Sequence, residues 1–300
     1  MLTTLDLRIN AGLFVLLAGL QLFMLLLPLT GAHAAWALLP ALFTNTFWAL
    51  NHEAMHGHLF ATRRASEYGG RLLSILYGAP FHLLRSGHLL HHAFSRTRRE
   101  RTEVYDERAT TWLSAAPRYY AQILGGLYLS EVLAGLLLAL LPARAIRALA
   151  ARLDGPGSVV GPMIAAQAEP ANLRVLRPDA LAAWALLAAA FRLYGENWPW
   201  LAAALGVRAL LISFFDNSYH YATALDNPKH AINMRAPHWL GLALLNFNRH
   251  GTHHLHANLG WRALGRIDDA VSPSVGMGYA LLRQLKGPIP ATALERNPSA

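Results

Sequence analysis

Residues 11–29 read AGLFVLLAGLQLFMLLLPL and carry no charge. As a helix they rise about 28 Å, close to the roughly 30 Å of hydrocarbon in a bilayer. Inside lipid the chain must satisfy its own backbone N–H and C=O groups, so such a segment dictates helices rather than open sheet. It is longer than the apolar part of a secretion signal, Arg8 is the only base before it, and no convincing A-x-A cleavage site follows. It is read as retained. Composition agrees: 14% of the residues are charged and 54% are hydrophobic, where a soluble domain is about 25% charged. A disordered chain, a coiled coil and an ordinary soluble enzyme are excluded.

The turn TGAH at 30–33 leads into a second apolar stretch, AAWALLPALFTNTFWAL at 34–50. Residues 52–117 then hold nine arginines, at 63, 64, 71, 85, 96, 98, 99, 101 and 108. By the positive-inside rule they face the cytoplasm. Within them RLLSILYGAPFHLL at 71–84 is too short to span and is expected to lie in the interface. The stretch 118–141 is apolar but carries Glu131, and 143–178 holds Arg144, Arg147, Arg152, Arg174 and Arg177. Apolar runs at 180–191 and 200–215 are joined by the aromatic turn RLYGENWP.

If the histidine clusters flanking 118–215 form one site, an even number of crossings separates them. The expected fold is thus a single all-α integral membrane domain over 1–300, with about four transmembrane helices in two hairpins and a cytoplasmic histidine-rich helical cap. The first hairpin is 11–51, the cytoplasmic segment 52–117, an interfacial or cytoplasmic segment 118–178, the second hairpin 180–216, and a cytoplasmic segment and tail 217–300. In this arrangement 118–141 lies in the interface or re-enters. The rival arrangement lets 118–141 cross and merges 180–215 into one span plus an interfacial piece. No repeat, low-complexity tract or strand alternation is visible.

Cysteine is absent, which removes disulfides, Cys-ligated zinc, iron–sulfur clusters, thiolate haem and a cysteine nucleophile. The net charge of +9 resides almost entirely in arginine, Lys229 and Lys286 being the two lysines. In so apolar a chain that charge suits an anionic membrane face, and no motif for nucleic acid accompanies it. The Ala/Leu/Arg-rich usage suggests a bacterial inner membrane.

Histidine is abundant, with 15 residues. NHEAMHGH carries His52 and His56 at i, i+4, which share one face of a helix. GHLLHHAF carries His88, His91 and His92; RHGTHHLH carries His250, His253 and His254; FDNSYHY adds His220. One H-x-x-H-H arises by chance, but two such patterns plus an H-x-x-x-H beside spanning segments do not. Nine histidines are too many for one ion and suit two. Imidazole alone leaves zinc, copper, iron and nickel open.

The three boxes HEAMH, HLLHH and HGTHH, with His220 between the second and third, resemble the membrane fatty-acid desaturase/hydroxylase superfamily over roughly residues 34–262. Acyl-chain desaturases look closest, partly for DNSYHY followed by the third box and Trp261. The resemblance implies a non-haem di-iron site of two Fe ions ligated by His52, His56, His88, His91, His92, His220, His250, His253 and His254, with O2 as co-substrate and a lipid acyl chain as substrate. It further implies an external electron donor, a ferredoxin, rubredoxin or cytochrome with its reductase, since no dinucleotide fingerprint or fused cytochrome is present. Some members place an asparagine near the extra histidine, reaching iron through water. Asn217 is the candidate, though its spacing to His220 is shorter than that pattern. Asp216, and less directly Glu53, Glu103 and Asp106, could orient an imidazole. His58, His82, His230, His238 and His256 lie outside the boxes, His33 falls on the opposite side of the membrane, and RTRRER at 96–101 reads most simply as a solvated basic face.

Desaturases share these boxes with hydroxylases and carotenoid ketolases, which are the alternative activities. HEAMH also satisfies H-E-x-x-H, the zinc metalloprotease motif with Glu53 as base, but that reading leaves both H-x-x-H-H boxes idle. A metal transporter would place ionisable residues inside the spans, and here they sit mostly at the ends.

Overall fold

A computed structural model describes residues 2–155 and 157–295; the end of the expected 217–300 segment lies outside the described residues. Helix α1 (Thr4–Leu26) opens on a capping box, in which Thr3 and Asp6 each accept from the other's backbone N–H. Beyond a turn at Gly31 the return arm is not one helix. It comprises a 3-10 turn at Ala34–Ala37, α2 (Leu38–Leu42) and α3 (Thr44–His56), interrupted at Phe43. The Thr44 hydroxyl donates to the Ala41 carbonyl at 2.6 Å across that break.

Next come α4 (Arg63–Tyr77) and α5 (Phe81–Phe94). Residues 71–84, expected in the interface, lie at the turn between these two helices. The segment forms the buried tip of a helix pair that dips into the bundle. Gly78, at φ 110, packs under Tyr128, Val132 and Leu187. The carbonyls of Leu76 and Tyr77 accept from the buried Arg208 guanidinium at 3.2 and 3.0 Å, and the Tyr128 hydroxyl donates to Tyr77 at 2.8 Å. A segment too short to span can still enter, because those donors satisfy the carbonyls that end α4.

Strand β1 (Val104–Tyr105) precedes α6 (Trp112–Ala121) and α7 (Leu127–Leu140). Residues Trp112–Leu140 are long and apolar enough to cross a membrane, yet the chain bends at Leu124 and Gly125, the latter at φ 122 and packed on Ala209. Tyr119, on the incoming arm, donates to the Gln284 carbonyl. On the outgoing arm the Trp184 indole donates to Val132 and Arg177 to Leu141. The amphipathic α8 (Ala143–Leu153) and the short apolar α9 (Val160–Gln167) set Ile146, Ala150 and Ile164 against Leu83 and Leu138.

Helices α10 (Pro170–Tyr194) and α11 (Trp198–Ser218) form the last hairpin, turning at Gly195–Asn197. The two hairpin tips meet: the Tyr194 hydroxyl donates to the Met24 carbonyl at 2.6 Å, and His33 lies edge-on against Trp200. His33 is therefore at the opposite end from the other histidines. Leu16, Leu39, Leu133 and Leu210 are exposed on the flanks, the surface a lipid solvent would cover. The remaining chain is a small cap. Parallel strands β2 (Asn233–Arg235) and β3 (Ser274–Gly276) pair with Asn233 opposite Ser274, and β4 (Ile289–Pro290) pairs with β1.

Candidate metal centre

Helix geometry brings the first two boxes to the bundle end. His52 and His56 occupy the last turns of α3, which Gly57 terminates at φ 79. His88, His91 and His92 occupy the last two turns of α5. The third box is a six-residue helix, His250–Leu255, too short to hold itself. It is clamped instead. The Asp269 carboxylate accepts from the Thr252 hydroxyl at 2.8 Å and from the Asn233 amide at 3.2 Å, while the Gly251 N–H donates to Ile232. A Cβ at Gly251 would stand 2.7 Å from Ser272 and 2.8 Å from the Ala231 carbonyl, so glycine alone fits there. His220 sits in the turn that follows α11.

The eight box histidines and His220 converge, in two adjoining groups. His52, His56, His88, His92 and His253 form one; His91, His220, His250 and His254 form the other; in each group the ring nitrogens lie within 4.8 Å of one another. Nε2 faces Nε2 at 3.1 Å for His52 and His253, 2.7 Å for His56 and His88, and 2.9 Å for His92 and His253. In the second group His220 and His254 each approach His250 at 3.1 Å. The groups touch where the His92 and His254 rings come within 4.4 Å.

Burial, reinforced by neighbouring imidazoles, holds these rings neutral. His88, His220, His250 and His253 titrate well below the usual range, His254 at about 3 and His92 at about 2. His91 is the exception: burial pulls it down, but the Glu100 carboxylate outweighs that and raises it. Neutral rings aimed at one point by Nε2 offer lone pairs, and in the second group three of the four far nitrogens are anchored, that of His250 having no partner among the described residues. His91 Nδ1 meets Glu100 at 2.9 Å, His220 Nδ1 the His230 carbonyl at 3.1 Å, and His254 Nδ1 the Pro228 carbonyl at 2.9 Å. This is the donor set and the outer support that a metal ion requires, so each group could hold one.

The other expectations divide. The Asn217 amide nitrogen is spent on Tyr119 at 3.2 Å and Gln284 at 2.9 Å, leaving its oxygen as the only group that could face a metal-bound water. Asp216 hydrogen-bonds no imidazole; it lines a narrow crevice beside the site. Glu53 is buried and accepts from the Trp261 N–H at 3.1 Å, and neither histidine group contains an acid. The geometry thus gives the protease reading neither a base beside the ligands nor an acidic third ligand. Glu103 pairs with Arg96 at 2.7 Å, Asp106 accepts from the Arg108 N–H, and His82 pairs with Glu67.

Glu100 escapes a sequence reading. It is the one acid within RTRRER, and that run is only partly a solvated face, because Arg96 is 1% exposed. A lone acid in a basic run nine residues after a box histidine was the available signal.

Searches of curated proteins and of solved structures return no match to this chain. A family model, fatty acid desaturase, matches residues 9–286. That span takes in both hairpins, all nine converging imidazoles and the Asp269 clamp, and the chain belongs to the fatty acid desaturase family, whose members are oxidoreductases of the desaturase and hydroxylase type.

Proposed function

We propose that this chain is an O2-dependent fatty acyl desaturase, with one non-haem iron in each histidine group and electrons supplied by an external carrier. The observation that carries this reading is the crevice between α3 and α11. It is narrow and lined by Trp48, Ile212, Phe215, Tyr219, Leu244 and Phe247, with Asn45 and Asp216 as its polar members, and its inner wall touches both groups. Phe247 lies edge-on to His52 at 4.9 Å, and Tyr219 stacks on His250 at 4.5 Å. An acyl chain entering sideways from lipid would bring a CH2–CH2 unit against those rings, while the aromatic wall excludes water and fixes depth. The irons, when bound, supply the oxidising power that takes hydrogen from an unactivated carbon. The protein orients the chain and keeps the ligating rings neutral. By its arginine distribution the histidine end faces the cytoplasm, in a bacterial inner membrane.

The test is product analysis. Expression in a host of defined lipid composition should yield new monounsaturated acyl chains under air, and none when His253 is alanine. Hydroxylated or keto products at the same level of iron would overturn desaturation in favour of the sister chemistries.

A further inference from the structure

One ionisable group lies well inside an apolar helix. Glu131 is half-buried on α7, between the exposed Leu129 and Leu133, where a carboxyl is costly to keep. Its partner is Tyr77, the fully buried last residue of α4, whose hydroxyl donates to the Glu131 carboxylate at 2.7 Å. Hydrogen bonding alone does not account for the acid. Tyr119, Tyr128, Tyr194 and Tyr221 are also buried, and each donates to a backbone carbonyl. A carbonyl would satisfy the Tyr77 phenol equally well. Among the described residues Tyr77 is the tyrosine whose hydroxyl is aimed at a carboxylate.

Tyr77 also reaches toward the histidines. Its ring packs on the Trp48 indole with centroids 5.3 Å apart, and meets the Tyr128 ring edge-on at 4.9 Å. Trp48 lies one turn before His52 on the same face of α3. It lines the crevice beside Phe247, the ring that meets His52 at 4.9 Å. In a chain without cysteine, indole and phenol are the side chains that give up one electron most readily. A phenol that loses an electron becomes a strong acid, and the carboxylate at 2.7 Å is placed to take its proton.

We infer that Trp48 and Tyr77 form a one-electron path leading away from the metal centre, with Glu131 as its proton acceptor, and that the path discharges oxidising equivalents that meet no substrate. The inference rests on reading the centre as iron that activates O2. An electron passes from Tyr77 through Trp48 to the centre, and the Tyr77 hydroxyl proton passes to Glu131. The products are a neutral tyrosyl radical and a protonated Glu131. A hydroquinone dissolved in the bilayer returns one electron, losing a proton to solvent as it does so, and Glu131 gives its own proton back to Tyr77. Without an acyl chain, O2 is then reduced to two waters by four electrons and four protons. Two of the electrons come from the external carrier and two, in succession, through Tyr77.

The absence of cysteine makes a direct test available. Ala243 is exposed, and its carbonyl accepts from the hydroxyl of Thr46, two residues before Trp48. Ala243→Cys therefore gives a single attachment point for a ruthenium–bipyridyl photo-oxidant. The labelled full chain, in nanodiscs and supplied with zinc as a redox-silent ion, is flashed and followed by transient absorption and electron paramagnetic resonance. A tryptophan radical should form and give way to a tyrosyl radical. Tyr77→Phe should leave the tryptophan radical without a successor. Glu131→Gln keeps an acceptor for the hydroxyl but cannot take the proton, and should cut the tyrosyl yield about tenfold or more. Trp48→Phe, which keeps the packing, should do the same. The iron-loaded chain, reduced and exposed to O2 without substrate, should give the same tyrosyl signal. A tyrosyl yield unchanged in Glu131→Gln makes the carboxyl a structural partner only and overturns the path, as does a signal that survives Tyr77→Phe. A chain that carries two irons and passes the flash test, yet gives no tyrosyl signal with O2, overturns the discharge role. If the flash test succeeds in a chain that will not take up iron, the iron reading falls and the electron path stands.

Discussion

Replacing His253 with alanine is expected to empty one metal position and lower activity by about 100-fold or more, beyond the 10–100-fold typical of losing a mere supporting partner. His253 is the hinge of the five-histidine group. Its Nε2 lies 3.1 Å from that of His52 and 2.9 Å from that of His92, so it joins the third box to the first two. The ring is 2% exposed, and water cannot replace it without reorganising three helices. His33→Ala serves as the control. That ring lies edge-on to Trp200 at the far hairpin tip, so the variant should keep wild-type metal content and activity. Metal analysis of the purified variants beside product yield reads both. Full metal content in His253→Ala would contradict the ligand assignment, and metal loss in His33→Ala would contradict the arrangement of the two ends.

The second large effect is expected at Arg208, which is fully buried within α11. Its guanidinium holds the Leu76 and Tyr77 carbonyls at the tip of the dipping pair and also bonds Gln21 of α1. Arg208→Met keeps much of the volume but takes the donor from the Leu76 carbonyl and the Gln21 oxygen, while Tyr77 keeps the Tyr128 hydroxyl. Each buried acceptor left bare costs about 1–3 kcal/mol, so with two of them the variant should lose about 2–6 kcal/mol of stability. Arg208→Lys keeps the charge without the fork and should fall between. Thermal or denaturant unfolding in detergent reads the change. A midpoint indistinguishable from wild type in Arg208→Met would show that the α4–α5 tip is held by other contacts.

The same two regions show how far sequence alone reaches. The eight box histidines were legible because i, i+3, i+4 spacing is a local property of a helix, whereas His220 stood alone and entered through the family resemblance. Their grouping into five and four was not legible. His91 and His92 are neighbours in sequence yet belong to different groups, because adjacent helical residues point about 100° apart. The dip of α4–α5 was hidden as well. Residues 71–84 are short and partly polar, and the donors that satisfy their carbonyls, Tyr128 and Arg208, lie far along the chain. Glu100 was lost in a run of arginines because its role depends on a fold that turns it back onto His91. Asn217 and Asp216 sit where the sequence placed them, at the end of α11, but one faces Tyr119 and Gln284 and the other a crevice.

The central claim is that these imidazoles hold two irons. Its most direct test is elemental analysis of the full chain purified anaerobically in detergent, repeated after iron reconstitution. About two irons per chain, with a Mössbauer signature of two distinct nitrogen-rich sites, is the predicted result. A single zinc and no iron, persisting after reconstitution, would contradict it.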